Sequence, residues 1–128
     1  MGTFTAGPVS LASAQAVADW LVNSRAAFDD LLSTGRAAVF DGMDEFLDIS
    51  DRFSAQFQAA VERGARMRED PLIIEISMTA AEQRILSATG TAMQNYLEIL
   101  AMRGVENVAP SAEAVEGLMV ISAGEFTE

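Results

Sequence analysis

The sequence contains no cysteine, no histidine and no lysine. Without cysteine there is neither a disulfide framework nor a thiolate metal ligand. The three missing residue types also supply most general bases, thiol nucleophiles and Schiff-base amines in enzymes. No Gly-x-Ser-x-Gly nucleophile motif replaces them. We therefore predict a protein that is not an enzyme, has no catalytic or metal-ligating residues and needs no cofactor.

Positive charge is also scarce, with 8 basic against 19 acidic residues and a formal net charge of −11. Such a field repels polyphosphate backbones, so we expect no nucleic-acid partner. Charged residues interrupt every apolar run before the roughly 20 residues needed to cross a bilayer. No basic residue precedes Arg25, whereas secretory signals begin with a basic region. We expect a soluble, cytoplasmic protein without a transmembrane segment.

What the sequence does contain is one long apolar stripe at helical spacing. Its members recur every three or four residues, a period near 3.6 that predicts a helix with one buried face. The composition is 50% hydrophobic, and alanine supplies much of that content, so we expect thin, elongated packing. The stripe consists of Val17, Leu21, Ser24, Phe28, Leu32, Gly35, Val39, Met43, Phe46, Ile49, Phe53, Phe57, Ala60, Gly64 and Met67.

The stripe and the glycine and proline residues that interrupt it predict three helices. Residues 1–9 are expected to be a flexible lead-in, and a first helix is expected over about 10–69, with a mild irregularity at Gly35 and Gly42. Asp70 and Pro71 predict a break and the start of a second helix over about 71–103. A short third helix over about 111–122 and a tail over 123–128 complete the chain.

This pattern predicts an all-α fold with a single helical domain over 10–122. We expect an elongated amphipathic helical hairpin or coiled-coil bundle with a short third C-terminal helix. At about 1.5 Å per residue the first helix would be roughly 90 Å long and the second roughly 50 Å. The second helix cannot cover the first, so we also predict a homo-oligomer.

Two groups of residues are candidate functional surfaces. An acidic run at helical spacing is expected to be a solvated face, with weak binding of a divalent cation as the alternative; it comprises Asp41, Asp44, Glu45, Asp48 and Asp51. The aromatic and isoleucine residues of the stripe are expected to fill the helix seam or mediate self-association. Trp20 and Phe40 lie at its margin and are candidates for contact with an apolar surface, with ordinary core packing as the alternative. The predicted hydrophobic or self-association residues are Trp20, Phe28, Phe40, Phe46, Ile49, Phe53 and Phe57.

Residues 20–38, WLVNSRAAFDDLLSTGRAA, resemble the phasins of polyhydroxyalkanoate granules, especially the alphaproteobacterial type. Asn23, Ala26, Ala27 and Gly35 lie where such proteins place an Asn-x-x-Ala start and a small-residue step. Gly42, the FSAQF run from Phe53, the charged run 62–70 and the Asp-Pro pair extend the resemblance, which covers about 17–110 in outline. An apolar run after Pro71 and the lack of lysine depart from it.

The resemblance implies a non-enzymatic coat protein in the cytoplasm. Its amphipathic helices would adsorb on hydrophobic polyester granules, and the chain would self-associate through a coiled coil. The alternative that the residues leave open is a structural or adaptor oligomer that binds protein partners, such as a scaffold, a secretion-associated protein or an assembly chaperone. A carboxylate-rich cation-binding bundle is a third possibility.

Overall fold

The computed structural model of the chain describes residues 1–37 and 41–128. Over these residues the chain forms three strands and four helices. Their order is β1 (Gly2–Val9), α1 (Leu11–Ser33), α2 (Met43–Arg66), β2 (Leu72–Met78), α3 (Ala80–Met102), α4 (Ala112–Ser122) and β3 (Glu125–Thr127). The prediction of an all-α fold is therefore wrong, because a small sheet accompanies the helices.

The sheet is antiparallel, and its strand order is β2-β1-β3. Thr3 of β1 lies opposite Ser77 of β2 on one side and opposite Thr127 of β3 on the other. The segments predicted as a flexible lead-in and a tail are thus the central strand and an edge strand. Their structure depends on pairing between distant parts of the chain, which no local pattern encodes.

Strand β2 occupies the segment where the second helix was predicted to begin. Its burial alternates strictly: Leu72, Ile74, Ile76 and Met78 are buried, and the residues between them are exposed. This period of two places one row of side chains on the helices and the other in solvent. Helix α3 begins only at Ala80, after the N-cap residue Thr79.

The predicted first helix is two helices. Helix α1 ends at Ser33 and α2 begins at Met43. Gly35 and Gly42 have φ angles of 72° and 78°, in the left-handed region that residues with a side chain seldom adopt. The chain forms turns at Thr34 and Gly35 and at Asp41 and Gly42. Because α1 ends at Ser33, the length mismatch that motivated the oligomer prediction does not exist.

The buried side chains form two hydrophobic clusters. The sheet cluster joins the inner face of the sheet to the first half of α1, the second half of α2 and α4. The helical cluster joins the second half of α1, the first half of α2, the end of α3 and Val108. This division places α1 and α2 antiparallel to each other. Trp20 and Leu86 pack against both clusters and connect them.

Candidate functional site

An apolar cleft lies where the two clusters meet, bordered by the inner side of α3. We call it the α3 cleft. It has a wide half of about 440 Å³ and a narrow half of about 170 Å³, and Leu21, Ser50, Gln94 and Leu118 line both. The wide half is further lined by Phe4, Phe53, Met78, Gln83, Leu86, Ser87, Thr91, Ile121, Ser122 and Gly124. The narrow half is further lined by Trp20, Ser24, Arg25, Phe28, Phe46, Leu47, Met93 and Leu97.

Local interactions at the start of α3 fix this side of the cleft. The Thr79 hydroxyl accepts from the Glu82 backbone N–H at 3.1 Å, and a Glu82 carboxylate oxygen accepts from the Thr79 backbone N–H at 2.9 Å. This capping box satisfies two donors at the start of the helix. The hydrogen bond from the Thr79 backbone lowers the pKa of Glu82, and the charge of Arg52 adds to the effect. Arg52 Nη1 lies 2.8 Å from Glu82 Oε2 and thereby joins α2 to α3.

Among the residues that the structure describes, none that lines the wide half of the cleft is ionisable. Its polar groups are the hydroxyls of serine and threonine and the side-chain amides of Gln83 and Gln94. The narrow half contains one charged residue, Arg25, whose Nε donates to Asp51 Oδ1 at 2.9 Å and whose Nη1 also pairs with Asp29. Burial acts to lower the pKa of Arg25, but these two carboxylates outweigh it and raise that pKa. The arginine charge is therefore already compensated within the protein.

Aromatic rings form one wall of the wide half. The Phe53 ring stacks on the Phe57 ring with centroids 6.1 Å apart, and the Phe4 ring is tilted against Phe53 at 6.3 Å. Phe57 is fully buried behind them, whereas Phe53 and Phe4 are half-buried and face the cleft. The cleft thus combines apolar surface with a few neutral polar groups, as is typical of sites for small apolar ligands.

The residues that the sequence predicts as a hydrophobic or self-association surface fall into two overlapping groups in the structure. Phe28, Phe46, Ile49 and Phe57 are buried inside the monomer. Trp20, Phe28, Phe46 and Phe53 line the α3 cleft. Phe40 lies outside the described residues.

Trp20 has a structural role in addition to its place at the cleft. Its indole N–H donates to the Val108 carbonyl at 2.9 Å, which ties α1 to the connector before α4. Sequence reasoning missed Phe4, Leu86 and Leu118 as cleft residues. Leu86 and Leu118 are apolar positions on helices, and only the position of α3 relative to α4 brings them together with Phe4.

The acidic face is exposed at all five positions from Asp41 to Asp51. Among the residues that the structure describes, no group of three or more acidic side chains is placed to hold a metal ion. In the same part of the chain, no helix is long and apolar enough to span a bilayer.

One edge of the sheet is partly covered by a side chain. The Gln56 side-chain amide donates to the Ser77 carbonyl at 3.2 Å, and its oxygen accepts from the Ser77 N–H at 3.2 Å. Because these Ser77 groups point away from β1, the alternation of an antiparallel strand directs those of Glu75 and Ile73 outward too. Gln56 covers the Ser77 end of this edge, and within the ranges 1–37 and 41–128 no hydrogen bond covers the Ile73 end.

The fold and the cleft define a small α+β domain with an open, largely apolar cleft and a half-covered sheet edge. Comparison of the chain with protein-family models, with curated proteins and with solved structures gave no match.

Proposed function

We propose that this protein is a non-enzymatic binding protein that holds apolar chains in the α3 cleft. The observation that carries the proposal is the wide half of the cleft, about 440 Å³ with a lining that contains no charged residue. Burying apolar area contributes roughly 25 cal/mol per Å², so such a space binds an aliphatic chain without ion pairs. The lack of histidine, cysteine and lysine agrees with a role in binding rather than turnover.

A hydrophobic polyester surface, as the phasin-like residues imply, is the physiological ligand that we propose. In this form of the hypothesis the cleft holds segments of polymer at the granule surface, and the acidic exterior keeps coated particles apart. Adsorption through the whole stripe would require the monomer to open, since most of the stripe is buried. The cleft offers an apolar surface without that cost.

Binding to polyhydroxybutyrate particles should depend on access to the cleft. Thr91 and its neighbour Ala92 are both exposed, but only Thr91 lines the wide half, at its rim. We expect Thr91→Phe to fill the cleft and weaken binding by roughly tenfold, about 1.4 kcal/mol. Ala92→Phe should bind like the wild type. Co-sedimentation at increasing particle concentration measures the difference.

The salt dependence of binding and the degradation of the polymer are two further measurements that test this proposal. Binding driven by apolar burial should persist in high salt, and no polymer should be degraded. Equal loss of binding in both phenylalanine variants, or no binding by the wild type to any apolar particle, would contradict the proposal that the α3 cleft is the binding site.

We propose self-association as a second function, through the outer edge of β2 rather than the phenylalanine face. An unpaired edge strand presents N–H and C=O groups that a second strand can bind. Ile73 adds an apolar side chain that is 42% exposed, next to the uncovered part of the edge. The occupant we propose is β2 of a second copy, which would pair antiparallel about a twofold axis.

Substituting proline at Glu75 should abolish this association. The Glu75 N–H points outward, so Glu75→Pro removes a donor of the edge and leaves the bonds to β1 in place. Ile76→Pro is the contrasting variant, because it removes a donor that faces β1 and should destabilise the fold. We expect light scattering to give a dimer for the wild type at micromolar concentration and a folded monomer for Glu75→Pro. A wild-type monomer, or a Glu75→Pro dimer, would contradict association through the outer edge of β2.

A further inference from the structure

We infer that the α3 cleft selects uncharged aliphatic chains, such as a long-chain alcohol or ester, over fatty acids of the same length. This inference rests on the proposed binding function and assigns a ligand class to its site. The relevant observation is the chemistry of the lining, which combines apolar surface with neutral hydrogen-bonding groups.

A carboxylate would find no compensating charge in the wide half. Its lining has no arginine, and a buried carboxylate without a cation is costly. The one arginine of the narrow half, Arg25, is already held by Asp29 and Asp51. At the mouth, a carboxylate would meet the field of a chain with a net charge of −11. A fatty acid is therefore disfavoured both inside the cleft and at its entrance.

A neutral head group fits the same surroundings. The exposed Ser87 and Thr91 and the half-buried Gln94 carry hydroxyl and amide groups. The Ser87 hydroxyl already accepts from Gln83 Nε2 at 2.9 Å and can still donate, whereas the Thr91 and Gln94 side chains can donate and accept. These groups can satisfy a hydroxyl or an ester carbonyl without any charge. Along α3 the lining runs from Gln83 to Leu97, about 21 Å at 1.5 Å per residue, which gives room for an extended aliphatic chain.

Fluorescence of the single tryptophan measures ligand binding in the cleft. Trp20 is the only tryptophan of the chain and lines the narrow half, so a ligand in the cleft should change its fluorescence. We would titrate the wild type with dodecanol, methyl dodecanoate and sodium dodecanoate below their critical aggregation concentrations, at pH 7 and physiological salt. Isothermal titration calorimetry gives an independent Kd. We expect both neutral probes to bind about tenfold or more tightly than dodecanoate, because only dodecanoate brings a charge that must be desolvated.

A lysine at the cleft should reverse the preference. Thr91→Lys adds a cation to the lining, so dodecanoate should gain affinity relative to dodecanol. Ala92→Lys adds the same charge one residue away, outside the lining, and should retain the wild-type preference.

The outcomes separate the inference from the function on which it rests. Equal or tighter binding of dodecanoate by the wild type, or the same response in both lysine variants, overturns the charge selectivity and leaves the binding function intact. The absence of binding by all three probes overturns both.

Discussion

Replacing Phe57 with alanine should lower the free energy of unfolding by about 3–5 kcal/mol, the usual cost of the cavity left when a buried phenylalanine is truncated to alanine. Phe57 is 0% exposed and lies in the sheet cluster, where the surrounding Val17, Ile74 and Ile76 are themselves fixed by helix and strand. These neighbours cannot collapse into the space. The stacked contact with Phe53 is lost as well, and such pairs contribute about 0.5–1.5 kcal/mol.

Phe53→Ala is the matched control, since it removes the same ring one helical turn earlier. Phe53 is half-buried and borders the cleft, so its loss enlarges an existing space and should destabilise the protein less. Urea unfolding, followed by circular dichroism, measures both variants. Equal losses would mean that the Phe53 ring is as closely packed as Phe57.

Gly117→Val should also strongly destabilise the fold, by about 1–3 kcal/mol or more. Gly117 lies on α4 where this helix crosses α1. A Cβ at this position would lie 2.5 Å from Val17 Cγ2 and 2.9 Å from the Ser13 carbonyl oxygen. The valine methyl is the end of a side chain, but the Ser13 oxygen belongs to the backbone of α1, so the two helices would have to separate.

Gly117→Ala provides a sharper test, because two effects act in opposite directions. Alanine favours a helix over glycine by about 1 kcal/mol, and the contact with Ser13 opposes this gain. We expect the contact to dominate and the variant to melt below the wild type. Glu116→Val and Glu116→Ala place the same two side chains on the exposed side of α4 and should have little effect. A melting temperature raised by Gly117→Ala would show that α4 can move away from α1 at little cost.

The helical part of the fold could be predicted from the sequence because its signal is local. The stripe from Val17 onward is largely the buried side of α1 and α2, and nine of its members are buried, namely Val17, Ser24, Phe28, Met43, Phe46, Ile49, Phe57, Ala60 and Gly64. Gly35 and Gly42 were correctly identified as weak points. The sequence nevertheless favours a continuous helix, because glycine in a helix costs only about 1 kcal/mol, and the positive φ angle of both residues is not visible in the sequence.

The sheet could not be predicted in this way. Ile74 and Met78 are four residues apart and fit a helical face as well as a strand with a period of two. Ile76 distinguishes the two patterns, because it is buried in the strand and would leave the helical stripe. The run Leu72-Ile73-Ile74 was noted as unexpectedly apolar, and such β-branched content favours a strand. Its partner, however, is β1 near the start of the sequence, and a pairing between such distant segments has no local signature.

The cleft was only partly predictable for a related reason. Trp20 and Phe53 were identified from their place on or beside the stripe, and both line the cleft. What could not be foreseen is that α3 leaves a space beside them, since this depends on the relative positions of α2, α3 and α4. The predicted self-association surface rested on a helix length that the turn after Ser33 removes.

The central position of β1 also determines when the sheet can be completed during synthesis. Among the elements that the structure describes, β1 leaves the ribosome before the others, and its neighbour β3 is made only after β2 and the four described helices. Until β3 is made, Thr3, Phe4 and Thr5 of β1 have no strand on the side opposite β2. Between the synthesis of β1 and that of β3, one edge of β1 therefore stays unpaired, and an unpaired strand edge makes an incompletely folded chain prone to aggregation.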